Sequence, residues 1–247
     1  MPGASNYTFL ARLDPPGAPP EGSPGGAPPG SRGAAGDRSG DGSPEGGPLV
    51  VYKPRRGEAP LWDFPSGTLC QREVAAFLVS RAGGFDVVPP TVLRDGPAGP
   101  GSVQEFIEHD FDCTAFDLFE GHAADLRCIA LFDLVVNNAD RKAGHVFPDA
   151  AGHIWAIDHG ICFHVEPKLR TVLWDFAELP ITGEEQACLS RLEVALSGEL
   201  GSILDGLLDR EELAALRYRL AAIKEAAVFP VPGPAWGPSR AFPWPPI

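Results

Sequence analysis

The amino-acid sequence predicts an α+β protein with a two-lobed fold, in which an N-terminal antiparallel sheet with one helix precedes a mainly helical C-terminal lobe. Strand-like runs dominate up to about residue 107, and segments with helical periodicity dominate after it. Hydrophobic residues make up 44% of the 247 residues, which is enough for a sizeable core. Glycine and proline are concentrated in residues 15–48, where they fill 20 of 34 positions, so the remaining chain has the composition of a folded protein.

The N-terminal lobe is expected to contain four strands and one helix. The strands are expected at residues 6–13, 48–53, 87–93 and 101–107. The helix has Thr68 as its N-cap candidate and ends at Gly83-Gly84. The composition of residues 15–48 cannot bury enough apolar surface to offset the entropy of ordering, so we expect a disordered insertion there.

The C-terminal lobe is expected to be mainly helical. Helices are predicted at residues 123–138, 183–197 and 209–227, and short strands at residues 145–147 and 153–157. We therefore expect a small lobe over residues 1–107 and a large lobe over residues 108–229. Residues 230–247 form a tail rich in proline and tryptophan, and we expect it to pack on the large lobe through Trp236 and Trp244 because exposed tryptophan is costly.

The charge of the chain limits its partners. The sequence has 20 basic and 33 acidic residues, for a net charge of −13, which repels nucleic-acid phosphates and anionic bilayers. No apolar run approaches the roughly 18 residues that a membrane-spanning helix needs, and no charged region followed by an apolar stretch begins the chain. We therefore expect a cytoplasmic protein without nucleic-acid binding or stable membrane insertion, and a monomer by default.

Three charged residues lie where apolar elements end. Lys53 ends a strand, Asp140 follows a buried helix, and Asp158 ends another strand. One lysine and two aspartates at such positions are what phosphoryl transfer needs, because that chemistry consists mainly of positioning and charge neutralisation. A helix carboxylate is also expected to hold the lysine, and Glu73 is our first choice, with Glu58 and Glu105 as alternatives.

The order of motifs resembles the phosphatidylinositol 3- and 4-kinase-like branch of the kinase superfamily, especially the type II phosphatidylinositol 4-kinases and an uncharacterised bacterial branch similar to them. The motifs are Asn-Ala-Asp-Arg at 138–141, Ile-Asp-His-Gly at 157–160, Phe163, and Trp-Asp-Phe-Ala-Glu-Leu-Pro at 174–180. The bacterial branch also carries segments similar to 52–54, 60–65 and 88–91, and ends in Pro-Trp-Pro-Pro. The resemblance covers nearly all of the chain except residues 15–48 and implies a kinase-like fold.

The resemblance also implies ATP and Mg²⁺ or Mn²⁺ as cofactors, and a nucleotide and an unknown acceptor as partners. Lys53 would bind nucleotide phosphates, with Glu73 as its pair. Asp140 would be the catalytic aspartate, with Lys142 two positions later, and Asp158 the main metal ligand.

Three further positions follow from the same resemblance. Residues 3–7, with Ser5 and Asn6, would form the loop that covers the phosphates, and Glu105 would lie near the adenine hinge. His145 stands five residues after Asp140, where protein kinases have a metal-binding asparagine. Imidazole is a poorer ligand than an oxygen for Mg²⁺, so His145 favours Mn²⁺, or one metal held mostly by Asp158.

Other functions compete with a kinase acting on a hydroxyl of a protein or small metabolite. A nucleotide-binding pseudokinase with a scaffold or regulatory role is the main alternative, and transfer of AMP is another. Four histidines lie close in sequence to Asp158, which would suit a zinc or iron hydrolase, but the known ligand spacings are absent; they are His145, His153, His159 and His164. Arg141 is equally compatible with a structural ion pair and with a phosphate contact.

Overall fold

The structure is a computed structural model that describes residues 7–13, 47–232 and 241–247. The strands are β1 (Phe9–Arg12), β2 (Leu49–Pro54), β3 (Thr91–Gly96), β4 (Gly99–Glu105), β5 (Val146–Pro148) and β6 (Ile154–Ala156). The helices are α1 (Leu69–Gly83), α2 (Ala115–Val136), α3 (Gly183–Leu196), α4 (Glu199–Leu204) and α5 (Arg210–Ala226). The predictions for Ser5, Asn6, Trp236 and the insertion up to residue 46 lie outside the described residues.

The N-terminal sheet is antiparallel and has the strand order β1-β2-β4-β3. Side chains alternate between its two faces along β2, so Val50 and Tyr52 are buried with Val103 of β4 in a small apolar cluster. Lys53 follows Tyr52 and pairs with Ser102, so its side chain points to the opposite face. This alternation directs the ammonium group toward the space between the sheet and the helices.

The prediction of a strand over residues 87–93 is partly wrong, because β3 begins only at Thr91. Pro89 and Pro90 lack the N–H groups that a ladder requires. Val87 and Val88 are instead buried in the main core, and the carbonyl of Val87 accepts a hydrogen bond of 2.7 Å from the backbone N–H of Ala156.

Helix α1 begins after Thr68 and ends as predicted, with Gly84 in the left-handed conformation at φ 73°. Helix α2 differs from its prediction, since it begins at Ala115 rather than near residue 123. A capping box between Thr114 and Asp117 starts it early, and His122, at φ −129°, interrupts it with a kink. The predicted range of residues 123–138 covers only the second half of α2, which is the more apolar one.

The helices that complete the large lobe agree with the sequence. Helices α3 and α5 lie within one residue of the predicted ranges, and each starts with a capping box, at Thr182 and at Asp209. The short helix α4 lies between them. The predicted α+β, two-lobed, kinase-like fold is confirmed, and no helix among the described residues combines the length and apolar character that crossing a bilayer requires.

The main core unites both parts of the chain. Helix α1 follows the sheet in sequence, but its buried residues Ala75, Ala76 and Val79 join the same apolar cluster as α2, α3 and α5. The carbonyl of Gly83, at the end of α1, also accepts a hydrogen bond of 2.8 Å from Arg191 of α3. Helix α1 is therefore held by the large lobe as well as by the sheet.

Candidate functional site

An ammonium group and two carboxylates from distant parts of the chain meet beneath the sheet. Lys53 Nζ of β2 donates to Glu73 Oε1 of α1 at 2.6 Å and to Asp158 Oδ1, two residues after β6, at 2.8 Å. The second oxygen of Glu73 accepts a hydrogen bond of 3.1 Å from the backbone N–H of His159. Glu73, rather than Glu58 or Glu105, is therefore the carboxylate that holds the lysine.

The protonation of this cluster follows from its charges. Burial lowers the pKa of Lys53, but the carboxylates of Asp158 and Glu73 outweigh it and raise that pKa above its ordinary value. The Lys53 ammonium in turn holds the pKa of Asp158 far below its usual range. Lys53 is thus a cation and Asp158 an anion at any physiological pH.

Asp158 is held in an unusual backbone conformation. Its φ of 66° lies in the left-handed region, which a non-glycine residue adopts at some cost. Its side chain is 52% exposed although Oδ1 is bonded to Lys53. The carboxylate of Asp158 is therefore partly exposed, and its Oδ2 atom is not the one that is bonded to Lys53.

Residues 137–143, after α2, carry Asp140, the candidate catalytic residue, and are called the catalytic loop below; this loop is built from short-range bonds. The side-chain oxygen of Asn138 accepts from the backbone N–H of Asp140 at 3.0 Å, which fixes the turn that presents the Asp140 carboxylate. Lys142 Nζ lies 3.5 Å from Asp140 Oδ2. Burial raises the pKa of Asp140, and the negative charge of Asp158 raises it further, whereas the ammonium of Lys142 lowers it. The net result is a pKa above the ordinary value for an aspartate.

Below this loop lies a buried ion pair, which decides between the two roles that the sequence left open for Arg141. Arg141 is fully buried, and its guanidinium donates to both carboxylate oxygens of Asp133, with distances of 2.9 and 3.0 Å. It also donates to the carbonyl of Ile157 at 2.7 Å and lies 2.6 Å from Nε2 of His159. Arg141 is therefore a structural residue that ties the catalytic loop to the Asp158 loop, and its complete burial keeps it from contacting a phosphate at the surface.

His145 and Asp158 provide a pair of candidate ligands for a divalent cation. His145 Nε2 lies 3.4 Å from Asp158 Oδ2, a separation that two ligands about 2.1 Å from one metal ion would have. Burial lowers the pKa of His145 to about 4, so its imidazole is neutral at pH 7 and has a lone pair. Among the described residues no group of three or more His, Cys, Asp or Glu side chains could hold a metal, so phosphate oxygens would have to complete the coordination.

A cavity of about 370 Å³ opens beside these groups. Of the predicted site residues it is lined by Lys53, Glu73, Asp140, Lys142 and Asp158. His145 touches Asp158 without lining the cavity. Glu105 ends β4, where its backbone pairs with Val50, and it does not line the cavity either.

Sequence reasoning missed part of the cavity wall. Thr8, just before β1, lines the cavity, as do Leu61 of the β2–α1 connection and Ile161 after the Asp158 loop. Thr8 lies two positions after Asn6, so the chain enters the cavity near the segment predicted to cover the phosphates. An apolar residue between two polar motifs carries no signal of its own, which is why Leu61 and Ile161 could not be singled out.

The fold and this cluster define a kinase-like protein, and comparison with known proteins gives the family. A family model described as "Phosphatidylinositol 3- and 4-kinase" matches residues 93–195. Protein Rv2133c of Mycobacterium tuberculosis is 38% identical over 230 residues, which cover 79% of this chain and 81% of that protein. The chain belongs to the phosphatidylinositol 3- and 4-kinase-like family, in a bacterial branch that includes this relative.

Two further similarities are more distant. Phosphatidylinositol 4-kinase gamma 8 of Arabidopsis thaliana is 28% identical over 189 residues, which cover 63% of this chain and 35% of the plant protein, so this chain spans about a third of it. The crystal structure of the Helicobacter pylori proinflammatory kinase CtkA matches with a TM-score of 0.45 and 15% identity over 73% of this chain and 85% of that chain.

Proposed function

We propose that the protein is an ATP- and metal-dependent phosphotransferase that acts on a hydroxyl group of a protein or small metabolite. The observation that carries this proposal is the meeting of Lys53 Nζ with Glu73 and Asp158 at 2.6 and 2.8 Å, beside a cavity that Asp140 also lines. A triphosphate needs a fixed cation and a metal-binding carboxylate in this arrangement. The nucleotide would bind between a small lobe of residues 1–107 and a large lobe of residues 108–229.

Each group has a defined task in this mechanism. Lys53, oriented by Glu73, binds phosphate oxygens. Asp158 and His145 would hold a divalent cation, which would supply neutralisation of phosphate charge. Asp140 accepts the proton of the acceptor hydroxyl. The hydroxyl oxygen then bonds to the γ-phosphorus, while the bond between the γ-phosphorus and the bridging oxygen of the β-phosphate breaks. Lys142 lies beside Asp140 and balances charge on the transferred group.

The charge of the chain favours a soluble acceptor. A net charge of −13 opposes approach to an anionic membrane surface, where a phosphoinositide would lie. The names of the plant relatives refer to a lipid substrate, but those proteins are about three times as long as the region they share with this chain. We therefore place the acceptor among protein side chains and small metabolites.

The first test is calorimetry of ATP binding with Mg²⁺ and with Mn²⁺. The wild type should bind ATP, and Asp158→Ala should weaken binding at least about tenfold because the metal loses its carboxylate ligand. Asp205→Ala is a matched control, since Asp205 is exposed at the end of α4 and does not line the cavity. The proposal fails if the wild type binds no nucleotide with either metal.

One observation favours the second candidate, a nucleotide-binding pseudokinase with a scaffold or regulatory role. The imidazole of His145 stands where an oxygen ligand would suit Mg²⁺ better. ATP binding without transfer of the γ-phosphate would support this candidate, and His145→Asn should then increase turnover in Mg²⁺. Transfer from α-labelled rather than γ-labelled ATP would instead indicate an AMP transferase.

A further inference from the structure

The last seven residues of the chain lie beside the catalytic loop. Ala241 is only 1% exposed, and its carbonyl accepts two hydrogen bonds, from the backbone N–H of Thr171 at 3.1 Å and from the indole N–H of Trp174 at 2.9 Å. Trp174 belongs to the Trp-to-Leu-Pro motif, to which the proposed mechanism assigns no task. The indole therefore serves to anchor residues 241–247, which we call the terminal strap.

The other end of the strap bonds to the catalytic loop itself. The carbonyl of Pro246 accepts a hydrogen bond of 2.8 Å from the backbone N–H of Ala143, which is fully buried and three positions after Asp140. A buried N–H without a partner is costly, so this bond matters for the conformation of the loop.

A ladder of backbone bonds connects the two attachment points. The N–H of Arg141 donates to the carbonyl of Arg170 at 2.9 Å, and the N–H of Val172 donates to the carbonyl of Arg141 at 3.2 Å. Thr171 lies between Arg170 and Val172, and its backbone N–H donates to the carbonyl of Ala241 in the strap. Backbone hydrogen bonds thus join residues 170–172 to the catalytic loop on one side and to the strap on the other. The strap also bonds directly to the catalytic loop, at Ala143.

Ala241 and Pro243 of the strap are buried, but its large apolar side chains contribute little to the attachment. The packing expected for Trp244 is not found, because its ring is 89% exposed, and Phe242 and Ile247 are exposed as well. The strap is attached through backbone carbonyls, which can set the spacing of neighbouring segments without depending on side-chain volume.

We propose that the terminal strap is a positioning element of the site, which holds the catalytic loop against residues 170–172 with Trp174 as its anchor. The hydrogen bonds described for it go to the catalytic loop, Thr171 and Trp174, on the Asp140 side of the cavity. This role is independent of whether the chain transfers a phosphoryl group, because it concerns the conformation of the loop.

Amide hydrogen exchange measures the effect directly. In a chain that ends at residue 240, the amides of Ala143 and Thr171 should exchange at least about tenfold faster, because each loses the acceptor to which it is bonded in the strap. The amides of Asn138 and Phe163, which bond to Asp133 and Val136, should stay protected. A peptide of residues 233–247 added in trans should restore protection in a saturable manner.

A full-length variant covers the case in which the shortened chain does not fold. Trp174→Phe removes the indole donor to Ala241 and keeps an aromatic ring, so exchange at Thr171 and Ala143 should rise. Trp155→Phe is the matched control, since Trp155 is also partly buried and donates one indole bond of 2.9 Å, to Asp149. That control should leave both amides unchanged.

Kinetics separates a positioning role from a general contribution to stability. Loss of the strap should lower kcat and leave the affinity for ATP unchanged, since the phosphate-binding groups lie elsewhere. Unchanged exchange at Ala143 and Thr171 would overturn the proposal. So would equal loss of protection at all measured amides, because the strap would then stabilise the whole fold and not this loop.

Discussion

The carboxyl group of Asp140 is under opposing influences, to which the charge of Arg170 adds a small lowering of its pKa. Burial disfavours its charged form, the ammonium of Lys142 at 3.5 Å favours it, and the negative charge of Asp158 disfavours it again. The pKa of Asp140 is consequently raised, which suits a group that must accept a proton from a hydroxyl. Lys142 is the nearest cation that favours the ionised form of this carboxyl group.

Replacing Lys142 by methionine should therefore move the pH dependence of turnover. Asp140 works in its deprotonated form, so activity is lost as pH falls through its pKa. Removal of the neighbouring cation raises that pKa further, and the acidic limb of the kcat profile should move to higher pH. The measurement is kcat against pH for the wild type and Lys142→Met.

The control for this prediction is Lys224→Met. Lys224 pairs with Glu193 at 2.5 Å on the outer surface of the large lobe, far in sequence from Asp140. That variant should keep the wild-type profile. An acidic limb that stays in place or moves to lower pH in Lys142→Met would contradict the role of Lys142.

At the scale of elements, helix α1 is decisive because it carries Glu73. Arg72, next to Glu73, is buried and donates to Glu212 of α5 and, at 2.7 Å, to the carbonyl of Cys162 after the Asp158 loop. Its guanidinium also lies 5.0 Å from the centre of the Phe64 ring. Arg72 thus adds a polar attachment of α1 to the large lobe, directly beside the residue that pairs with Lys53.

The loss of this attachment should be expensive. Arg72→Met leaves the buried carboxylate of Glu212 without its cation and should lower the free energy of unfolding by about 3–5 kcal/mol. Arg81→Met is the control on the same helix, because Arg81 pairs with Asp86 on the surface and should cost at most about 1 kcal/mol. Chemical denaturation measures both, and equal costs for the two variants would refute the role of Arg72.

At the scale of the whole molecule, the long connection between β1 and β2 starts and ends at paired residues. Arg12 pairs with Leu49, and the N–H of Leu13 donates to the carbonyl of Pro48 at 3.1 Å. The two strands are therefore in register on both sides of the connection. A short turn joins antiparallel strands equally well, so the fold does not require the length of this segment.

Replacement of residues 15–46 by a short Gly-Ser turn should keep the fold. Closing a shorter loop costs less entropy, about 0.6 kcal/mol for each halving of its length, so the free energy of unfolding should stay the same or rise by up to about 2 kcal/mol. Thermal and denaturant unfolding measure this change. A variant with residues 15–46 in shuffled order separates length from sequence, and a clear loss of stability in either variant would show that these residues make stabilising contacts.

Sequence reasoning found the elements whose signals are local. Thr68 and Gly84 flank α1 in the sequence, although the Thr68 side chain makes no capping hydrogen bond, and apolar periodicity marks α3 and α5 within their own residues. It missed the first turns of α2, although the Thr114–Asp117 capping box lies in the sequence, because apolar periodicity there is weak. It also placed Val87 and Val88 in a strand, because a short apolar run in the sequence does not distinguish a β-strand from a core segment without strand pairing.

The sequence by itself determined the family, the order of the elements, and the set of charged residues that could bind a triphosphate. Only the tertiary structure decided which of them meet: Lys53 and Asp158 are 105 positions apart, and Glu73 was one of three candidate partners. It alone assigned Arg141 to a buried ion pair and placed the carbonyl of Pro246 on the catalytic loop. Caps and periodicity act within a few residues, whereas contacts between distant segments depend on how the whole chain packs.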